Sequence, residues 1–144
     1  MVFFVTLIDM IIGIDEVGRG CWAGPLLACA VKLDDTHTIE GLTDSKLISA
    51  KKRTLICRQI QEQAKQIGIG WVWPKEINKL GLTESVRLAM QRALSDIDLS
   101  GEEIIVDGHY NYLHDIPKTT ALIKADVTIP AVSAASIIAN VARD

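Results

Sequence analysis

Two apolar segments stand near the start of the chain, with a glycine-rich stretch between them. Residues 2–14 and 26–33 have the composition of buried strands, and Gly18, Gly20 and Gly24 lie in the connection. Two strands joined by a short glycine-rich connection pair most simply as an antiparallel hairpin. The sequence therefore predicts that any fold of this chain includes that hairpin.

Helical and strand patterns alternate through the rest of the chain. In order, the predicted elements are a helix over 49–68, a strand over 69–73, a helix over 83–97, strands over 103–106 and 121–125, and a helix from Pro130. Ser49 and Thr83 are the predicted N-caps of the first two helices. Strands that alternate with helices after a hairpin predict an α/β fold, in which helices pack on the faces of a mixed sheet.

Two tryptophans share one face of the strand predicted over 69–73. Trp71 and Trp73 are two residues apart, and side chains alternate between the faces of a strand. Aromatic residues at this spacing are usually buried, so we expect both in the core. A base-stacking surface is the less favoured alternative.

Composition indicates one folded domain without indiscriminate affinity for nucleic acid. The chain has 144 residues, of which 49% are hydrophobic and 23% charged, and its net charge is -3. Residues 45–61 nevertheless contain no acidic residue and five basic ones: Lys46, Lys51, Lys52, Arg53 and Arg58. This basic segment either faces phosphates or forms a solvated helix face, and the sequence leaves both open.

The cysteine count and the N-terminus favour a cytoplasmic protein. The three cysteines, Cys21, Cys29 and Cys57, form neither a CxxC pair nor an even disulfide set, which suits a reducing compartment. Residues 1–9 are apolar but short, and Asp9 interrupts them, so we expect neither a signal peptide nor a membrane span. This segment either lengthens the first strand or precedes a start at Met10.

Four acidic residues end or follow apolar segments: Asp15, Glu16, Asp107 and Asp126. We expect each at a strand end, where carboxylates can converge. Converging carboxylates repel one another, and a hard cation such as Mg²⁺ or Mn²⁺ removes that repulsion. Asp15 and Glu16 can share one site only if the strand ends there, because neighbours in a strand point to opposite faces. Taken singly, Asp107 also suits a turn and Asp126 a helix entry.

Metal-assisted phosphodiester chemistry is favoured by three features together: the four carboxylates, the basic segment and the Gly-Arg-Gly turn at residues 18–20. Five motifs, GIDEVGRGCWAGPL, LTDSK, IIVDG, KAD and IPAVSAASIIANVARD, resemble type 2 ribonuclease H, the ribonuclease HII family, in the family's order. The resemblance covers the chain from about Ile12 to Asp144. It implies an RNase H-like fold, with a central five-stranded mixed sheet flanked by helices, in one catalytic domain over 1–144 that acts as a monomer.

The resemblance also implies an activity and the residues that perform it. The expected reaction is two-metal hydrolysis of RNA in RNA–DNA hybrids, and of DNA duplexes 5′ to embedded ribonucleotides, leaving a 5′-phosphate and a 3′-hydroxyl. It assigns Mg²⁺ or Mn²⁺ to four catalytic carboxylates: Asp15, Glu16, Asp107 and Asp126. It assigns substrate contacts to Gly18, Arg19, Gly20, Lys46, Ser133 and Ser136.

Two other functions compete with this interpretation. Family members usually continue past Arg143 and Asp144, and the part absent here includes a Lys-Gly-Tyr-Gly segment. The first alternative is therefore a fragment that binds metal and hybrid duplex without effective cleavage. The second is a phosphotransferase of the sugar-kinase and actin type, which we disfavour because the sequence has no glycine-rich ATP loop and is too short for two lobes.

Overall fold

The computed structural model describes residues 10–18, 24–34, 39–43 and 49–143. In chain order, its elements are β1 (Met10–Val17), β2 (Leu26–Asp34), α1 (Ala50–Gln63), β3 (Gln66–Val72), α2 (Pro74–Leu80), α3 (Leu82–Leu94), β4 (Glu103–Asp107), β5 (Thr119–Leu122), α4 (Ala125–Thr128) and α5 (Pro130–Arg143). Within these ranges, no helix has the length and hydrophobicity needed to cross a membrane.

The five strands form one mixed sheet in the order β3-β2-β1-β4-β5. Strand β2 is antiparallel to both β1 and β3, whereas β4 is parallel to β1 and to β5. Strands β1, β3, β4 and β5 therefore all end at the same edge of the sheet, which we call the carboxyl edge. The predicted fold class, a five-stranded mixed sheet flanked by helices, is confirmed.

The helices cover both faces of the sheet. Helix α3 packs on one face, where Ile12, Ile14 and Met90 belong to one buried cluster. Helices α1 and α5 pack on the other, where Ile60 and Ile137 belong to a second cluster. Burial of these apolar side chains stabilises the sheet from both sides.

Helix α5 lies directly against strand β1 because position 13 has no side chain. A Cβ atom on Gly13 would stand 2.2 Å from the backbone carbon of Ala131 and 2.3 Å from the backbone nitrogen of Val132. Real atoms do not approach that closely, so only glycine permits this contact. The small residues of α5 thus pack backbone to backbone on the central strand.

The predicted N-terminal hairpin is confirmed, with shifted ends. Strands β1 and β2 pair antiparallel, and β1 continues to Val17, beyond its predicted end at Ile14. Residues 1–9, for which the sequence offers two interpretations, lie outside the described residues.

The first predicted helix ends too late. Helix α1 ends at Gln63, and residues 66–68 belong to β3. Ile67 fits both patterns, because an apolar residue at helical spacing can also alternate with its neighbours in a strand. Pairing of β3 with β2 decides between the two. The predicted cap is confirmed, since the Ser49 hydroxyl accepts a hydrogen bond from the N–H of Lys52 at 3.2 Å.

Two later elements also differ from their predicted bounds. Helix α3 spans Leu82–Leu94, so the predicted cap Thr83 lies inside it and Ile97 lies beyond it. Strand β5 spans Thr119–Leu122 rather than 121–125. This second shift moves the chain that follows β5 out of the sheet and changes the position of an expected site residue.

The expectation that both tryptophans lie in the core is wrong for Trp73. Trp71 is partly buried against the cluster on the α1 and α5 face, whereas Trp73 is 54% exposed. Strand β3 ends at Val72 and α2 begins at Pro74, so Trp73 stands at the junction between them. Strand periodicity could not show this, because it does not locate the end of the strand.

Substitution of Gly13 tests the contact between α5 and β1. We expect Gly13→Ala to lower the free energy of unfolding by more than about 3 kcal/mol, because the new methyl group would overlap the backbone of α5. Gly24→Ala is the matched control. There the added Cβ would meet only the flexible guanidinium of Arg143, and we expect a loss below about 1 kcal/mol. Both variants are compared with wild type by urea denaturation. Equal losses of unfolding free energy in the two variants would contradict this packing.

Candidate metal centre

Parallel strands β1 and β4 bring two aspartates to the carboxyl edge. Ile14 of β1 lies opposite Val106 of β4, so the next residues, Asp15 and Asp107, occupy neighbouring positions. Ile14 and Val106 both belong to the core under α3. Because side chains alternate along a strand, both aspartates project towards the α5 face.

Asp126 reaches the same place from a helix, and its expected position at a strand end is wrong. After β5 the chain turns at Lys124, which has a left-handed backbone with φ of 58°, and Asp126 lies in the first turn of α4. The N–H of Asp126 donates a hydrogen bond to Oδ1 of Asp107 at 3.4 Å. The turn after β5 thus folds the third aspartate back onto the end of β4.

The carboxylates of Asp15, Asp107 and Asp126 converge. One oxygen from each lies within 4.8 Å of the others, although the three residues come from two strands and a helix. Asp15 and Asp126 are only 8% and 7% exposed. Three clustered carboxylate oxygens are the kind of donor set that Mg²⁺ or Mn²⁺ prefers, so these residues fit a hard divalent cation.

Glu16 is not part of this three-residue cluster. Strand β1 continues through Glu16 to Val17, so the expected strand end is wrong. Asp15 pairs with Cys29 and Glu16 with Ala28, and these partners belong to clusters on opposite faces of the sheet. The Cα–Cβ bond of Glu16 therefore points towards the α3 face.

Burial and like charges make the cluster costly when all its members are ionised. Burial, the charge of Glu16 and the charge of Asp107 raise the pKa of Asp15 from 3.8 to about 8. Hydrogen bonds from the N–H of Glu16, at 2.8 Å, and from Ser136 act in the opposite direction. The cation-free cluster consequently holds a proton near neutral pH, and a bound cation would take its place.

Helix α5 supplies two serines to this region, with different contacts. The buried hydroxyl of Ser133 donates to the carbonyl of Asp126 at 2.5 Å and to that of Ile129 at 3.2 Å. Ser136 is partly exposed, and its side chain makes a hydrogen bond with Asp15. Both serines therefore support the carboxylate cluster, and their expected contacts with substrate stay predictions.

Asn140 extends the support one turn further along α5. Its amide Nδ2 donates to the carbonyl of Ser136 at 2.8 Å and to the hydroxyl of Ser136 at 3.5 Å. A hydroxyl that accepts from Asn140 can still donate to Asp15. Apolar periodicity does not indicate Asn140, although its spacing of four from Ser136 on a helix is a usable signal.

The end of helix α5 contacts both ends of the connection between β1 and β2, at Gly18 and Pro25. Gly18 has φ of 99°, and an added Cβ would stand 2.6 Å from the carbonyl oxygen of Pro25 and 2.9 Å from Nε of Arg143. That Nε donates to the same carbonyl at 3.2 Å. Sequence patterns do not indicate this contact of Arg143, because Arg143 lies 118 residues from Pro25.

The remaining expected substrate contacts, Arg19, Gly20 and Lys46, lie outside the described residues. Part of the basic segment is described, and Lys51, Lys52 and Arg58 of α1 are exposed. Helix α1 ends two residues before β3 begins, at the edge opposite the carboxyl edge. Its 14 residues span about 21 Å, so its basic first turn lies about that far from the end that meets the opposite edge. This exposure fits either interpretation of the segment.

The chain is similar to proteins of one family over most of its length. Residues 12–144 match the family model described as Ribonuclease HII. Relatives named Ribonuclease HII include one from Streptomyces avermitilis, 42% identical over 94% of this chain and 58% of the relative. Another, from Shewanella pealeana, is 44% identical over 92% of this chain and 64% of the relative. The chain thus spans about six tenths of the length of these relatives.

Solved structures agree with this similarity. The ribonuclease H2 from Pyrococcus horikoshii OT3 matches 94% of this chain and 72% of its own, with a TM-score of 0.77 and 29% identity. Bst-RNase HIII in complex with Mn²⁺ matches 94% of this chain and 52% of its own, with a TM-score of 0.75 and 25% identity.

The raised pKa of Asp15 predicts how stability depends on pH when EDTA removes divalent ions. Between pH 3.8 and about 8, the folded state keeps the proton and the unfolded state loses it. The contribution of Asp15 to the free energy of unfolding is therefore fully present below pH 3.8. It falls as the pH rises towards 8, by at most about 1.4 kcal/mol per pH unit. In Asp15→Asn the amide has no charge to lose. We expect urea denaturation at pH 5.5, 6.5 and 7.5 to give a flatter profile for this variant, and parallel profiles would contradict the interpretation.

Proposed function

We propose that this chain, which belongs to the ribonuclease HII family, carries the site of a metal-dependent endonuclease. Its substrates would be RNA–DNA hybrids and DNA duplexes that contain ribonucleotides. The observation that carries the proposal is the convergence of three carboxylate oxygens, from Asp15, Asp107 and Asp126, within 4.8 Å at one edge of the sheet. Negative charge concentrated at one point suits a cation that acts on phosphodiesters.

Mg²⁺ or Mn²⁺ is the proposed cofactor. A bound divalent cation supplies Lewis acidity for phosphodiester hydrolysis, and we propose a pair of such ions. The related Bst-RNase HIII, seen in complex with Mn²⁺, supports this ion class. Asp15, Asp107 and Asp126 would hold the cations, and Ser136 would orient Asp15 through its hydrogen bond. Glu16 stays a proposed fourth ligand, because its charge already acts on Asp15.

Substrate would be held beside the cluster by the turn after β1 and by the basic segment. The left-handed backbone of Gly18 exposes main-chain groups without a side chain in the way, which suits a contact with a ribose 2′-hydroxyl. Arg19 and Gly20 complete that turn in the sequence, and Lys46 is proposed to contact a phosphate. Such contacts would select RNA, because DNA lacks the 2′-hydroxyl.

A fragment that binds duplex without cutting it is the second candidate. The observation that favours it is length, since the chain spans only 58% and 64% of the relatives compared above. In those relatives, residues outside the matched part could provide further contacts with the substrate. Binding and cleavage therefore have to be measured separately.

Cleavage of a DNA duplex with one ribonucleotide tests the proposal. With Mg²⁺, we expect a nick immediately 5′ to that ribonucleotide. Asp107→Asn should lower the rate by at least about 100-fold and leave the fold intact, because one ligand charge disappears at nearly constant volume. Asp96→Asn is the matched control, since Asp96 is an exposed residue beyond the end of α3.

The outcomes separate the two candidates. A nick by the wild-type chain and by the Asp96 variant, lost in the Asp107 variant, supports the endonuclease. Binding of the duplex by fluorescence anisotropy without any nick supports the fragment. Undiminished cleavage by Asp107→Asn would remove Asp107 from the proposed site.

A further inference from the structure

Two stacked tryptophans form an exposed aromatic surface that the proposed cleavage site does not use. The rings of Trp71 and Trp73 lie with their centroids 5.5 Å apart and their planes 7° from parallel. Trp71 packs on the cluster under α1 and α5, and Trp73 covers Trp71 while being 54% exposed itself. Exposing this much of an indole to water is unfavourable unless another molecule covers it.

The aromatic pair lies at the same edge of the sheet as the carboxylates. Strand β3 ends at the carboxyl edge, and the registers align Val17 of β1, Leu27 of β2 and Trp71 of β3. Trp71 is therefore two strands from β1, about 10 Å across the sheet. It also faces the same side as Asp15, because Asp15, Leu27 and Trp71 all border the α5 side.

Hydrogen bonds and an ion pair hold the backbone of the pair in place. Nη1 of Arg92 donates to the carbonyl of Trp71 at 2.6 Å, and Nη2 of Arg92 contacts Oε2 of Glu76 at 2.6 Å. Oε1 of Glu76 accepts the N–H of Trp73 at 3.2 Å. Helices α2 and α3 thus fix the end of β3, so a ligand would meet a surface that is already ordered.

Positive charge flanks the aromatic pair. Lys75 is exposed two residues after Trp73, at the start of α2. Lys51 and Lys52 are also exposed, in the first turn of α1, about 21 Å from the end of that helix that meets the opposite edge. An aromatic face beside lysines suits a nucleic-acid backbone, which offers sugars together with phosphates.

We propose that the aromatic pair contacts the nucleic-acid substrate at a distance from the point of cleavage through the exposed indole of Trp73, which stacks on a sugar of the backbone while Trp71 supports it from the core side. A duplex favours the sugar, because neighbouring base pairs cover the faces of paired bases. The inference rests on the proposed function, since it takes the same duplex to be bound at the carboxylates.

The spacing of the sheet gives the position of this contact. Trp71 is two residues nearer the edge than Asp15, so their Cα atoms are about 12 Å apart, and those of Asp15 and Trp73 about 16 Å apart. At about 3.4 Å of rise per base pair, the contact lies roughly four to five base pairs from the cut. A duplex that ends within two base pairs of the cut on the side facing Trp73 cannot reach this contact.

Steady-state cleavage of a 24-base-pair DNA duplex with one ribonucleotide, which fixes the position of the cut, tests the contact. Trp73→Ala should raise KM about 5- to 50-fold and leave kcat within about two-fold, because the contact binds substrate and transition state alike. Trp73→Phe should keep KM within about three-fold of wild type, because it retains an aromatic ring. Leu99→Ala is the control, since Leu99 is 49% exposed in the loop that leads to the opposite edge.

Substrate length then locates the contact. Two further duplexes are each shortened on one side of the cut, so that only two base pairs remain on that side. The first is shortened on one side of the cut and the second on the other. The KM difference between wild type and Trp73→Ala should disappear with one of them and persist with the other. A KM difference that persists with both shortened duplexes would overturn the inference. An unchanged KM in Trp73→Ala would also overturn it, as would an equal rise of KM in Trp73→Phe and Trp73→Ala.

Direct binding keeps this test separate from the proposed function. If the wild-type chain does not cut, the same variants and duplexes are compared by fluorescence anisotropy, with Kd in place of KM. Cleavage by wild type with no effect of Trp73→Ala overturns only the aromatic contact. A chain that neither cuts nor binds this duplex overturns both proposals.

Discussion

The backbone contact between helix α5 and strand β1 determines the geometry of the site. Gly13 allows α5 to lie closer to β1 than any side chain would permit. That approach lets Ser136 reach Asp15, while Ser133 holds the carbonyl of Asp126. One helix therefore orients carboxylates that come from a strand and from α4, and the cluster depends on packing made elsewhere in the fold.

The cluster itself opposes folding. Asp15 and Asp126 are buried, and burial, together with the charges of Glu16 and Asp107, raises the pKa of Asp15 to about 8. A typical domain is stable by only about 5–15 kcal/mol, and ionising a group whose pKa is raised costs about 1.4 kcal/mol per pKa unit, so this cost matters to the stability of the fold. A cation bound between the carboxylates would relieve it, which links the stability of the fold to occupation of the site.

Part of this arrangement could be predicted from the sequence. The apolar strands and the helical stripes identified the α/β fold, and the motif order pointed to the family. Asp15 and Asp107 could be expected to converge because each follows an apolar segment predicted to be a strand, whereas the parallel pairing of those strands is known from the structure. Glu16 and Asp126 were harder. The continuation of β1 and the left-handed turn at Lys124 depend on pairing and packing, which apolar periodicity does not record.

The features that the sequence did not indicate come from long-range contacts. Arg143 meets the carbonyl of Pro25 across 118 residues. The exposure of Trp73 follows from the junction of β3 with α2 and from its fixing by Glu76 and Arg92. Each is a consequence of where elements end, and the ends of elements are the least accurate part of a prediction from patterns.

Anomalous diffraction from crystals soaked in millimolar Mn²⁺ tests the central claim most directly. If Asp15, Asp107 and Asp126 form a cation site, the anomalous difference map should show a peak within about 2.0–2.6 Å of oxygens from all three residues. Crystals of Asp107→Asn, soaked in the same way, should show a weaker peak or none. A wild-type map without a peak between these three carboxylates, at a pH where they are ionised, would contradict the claim.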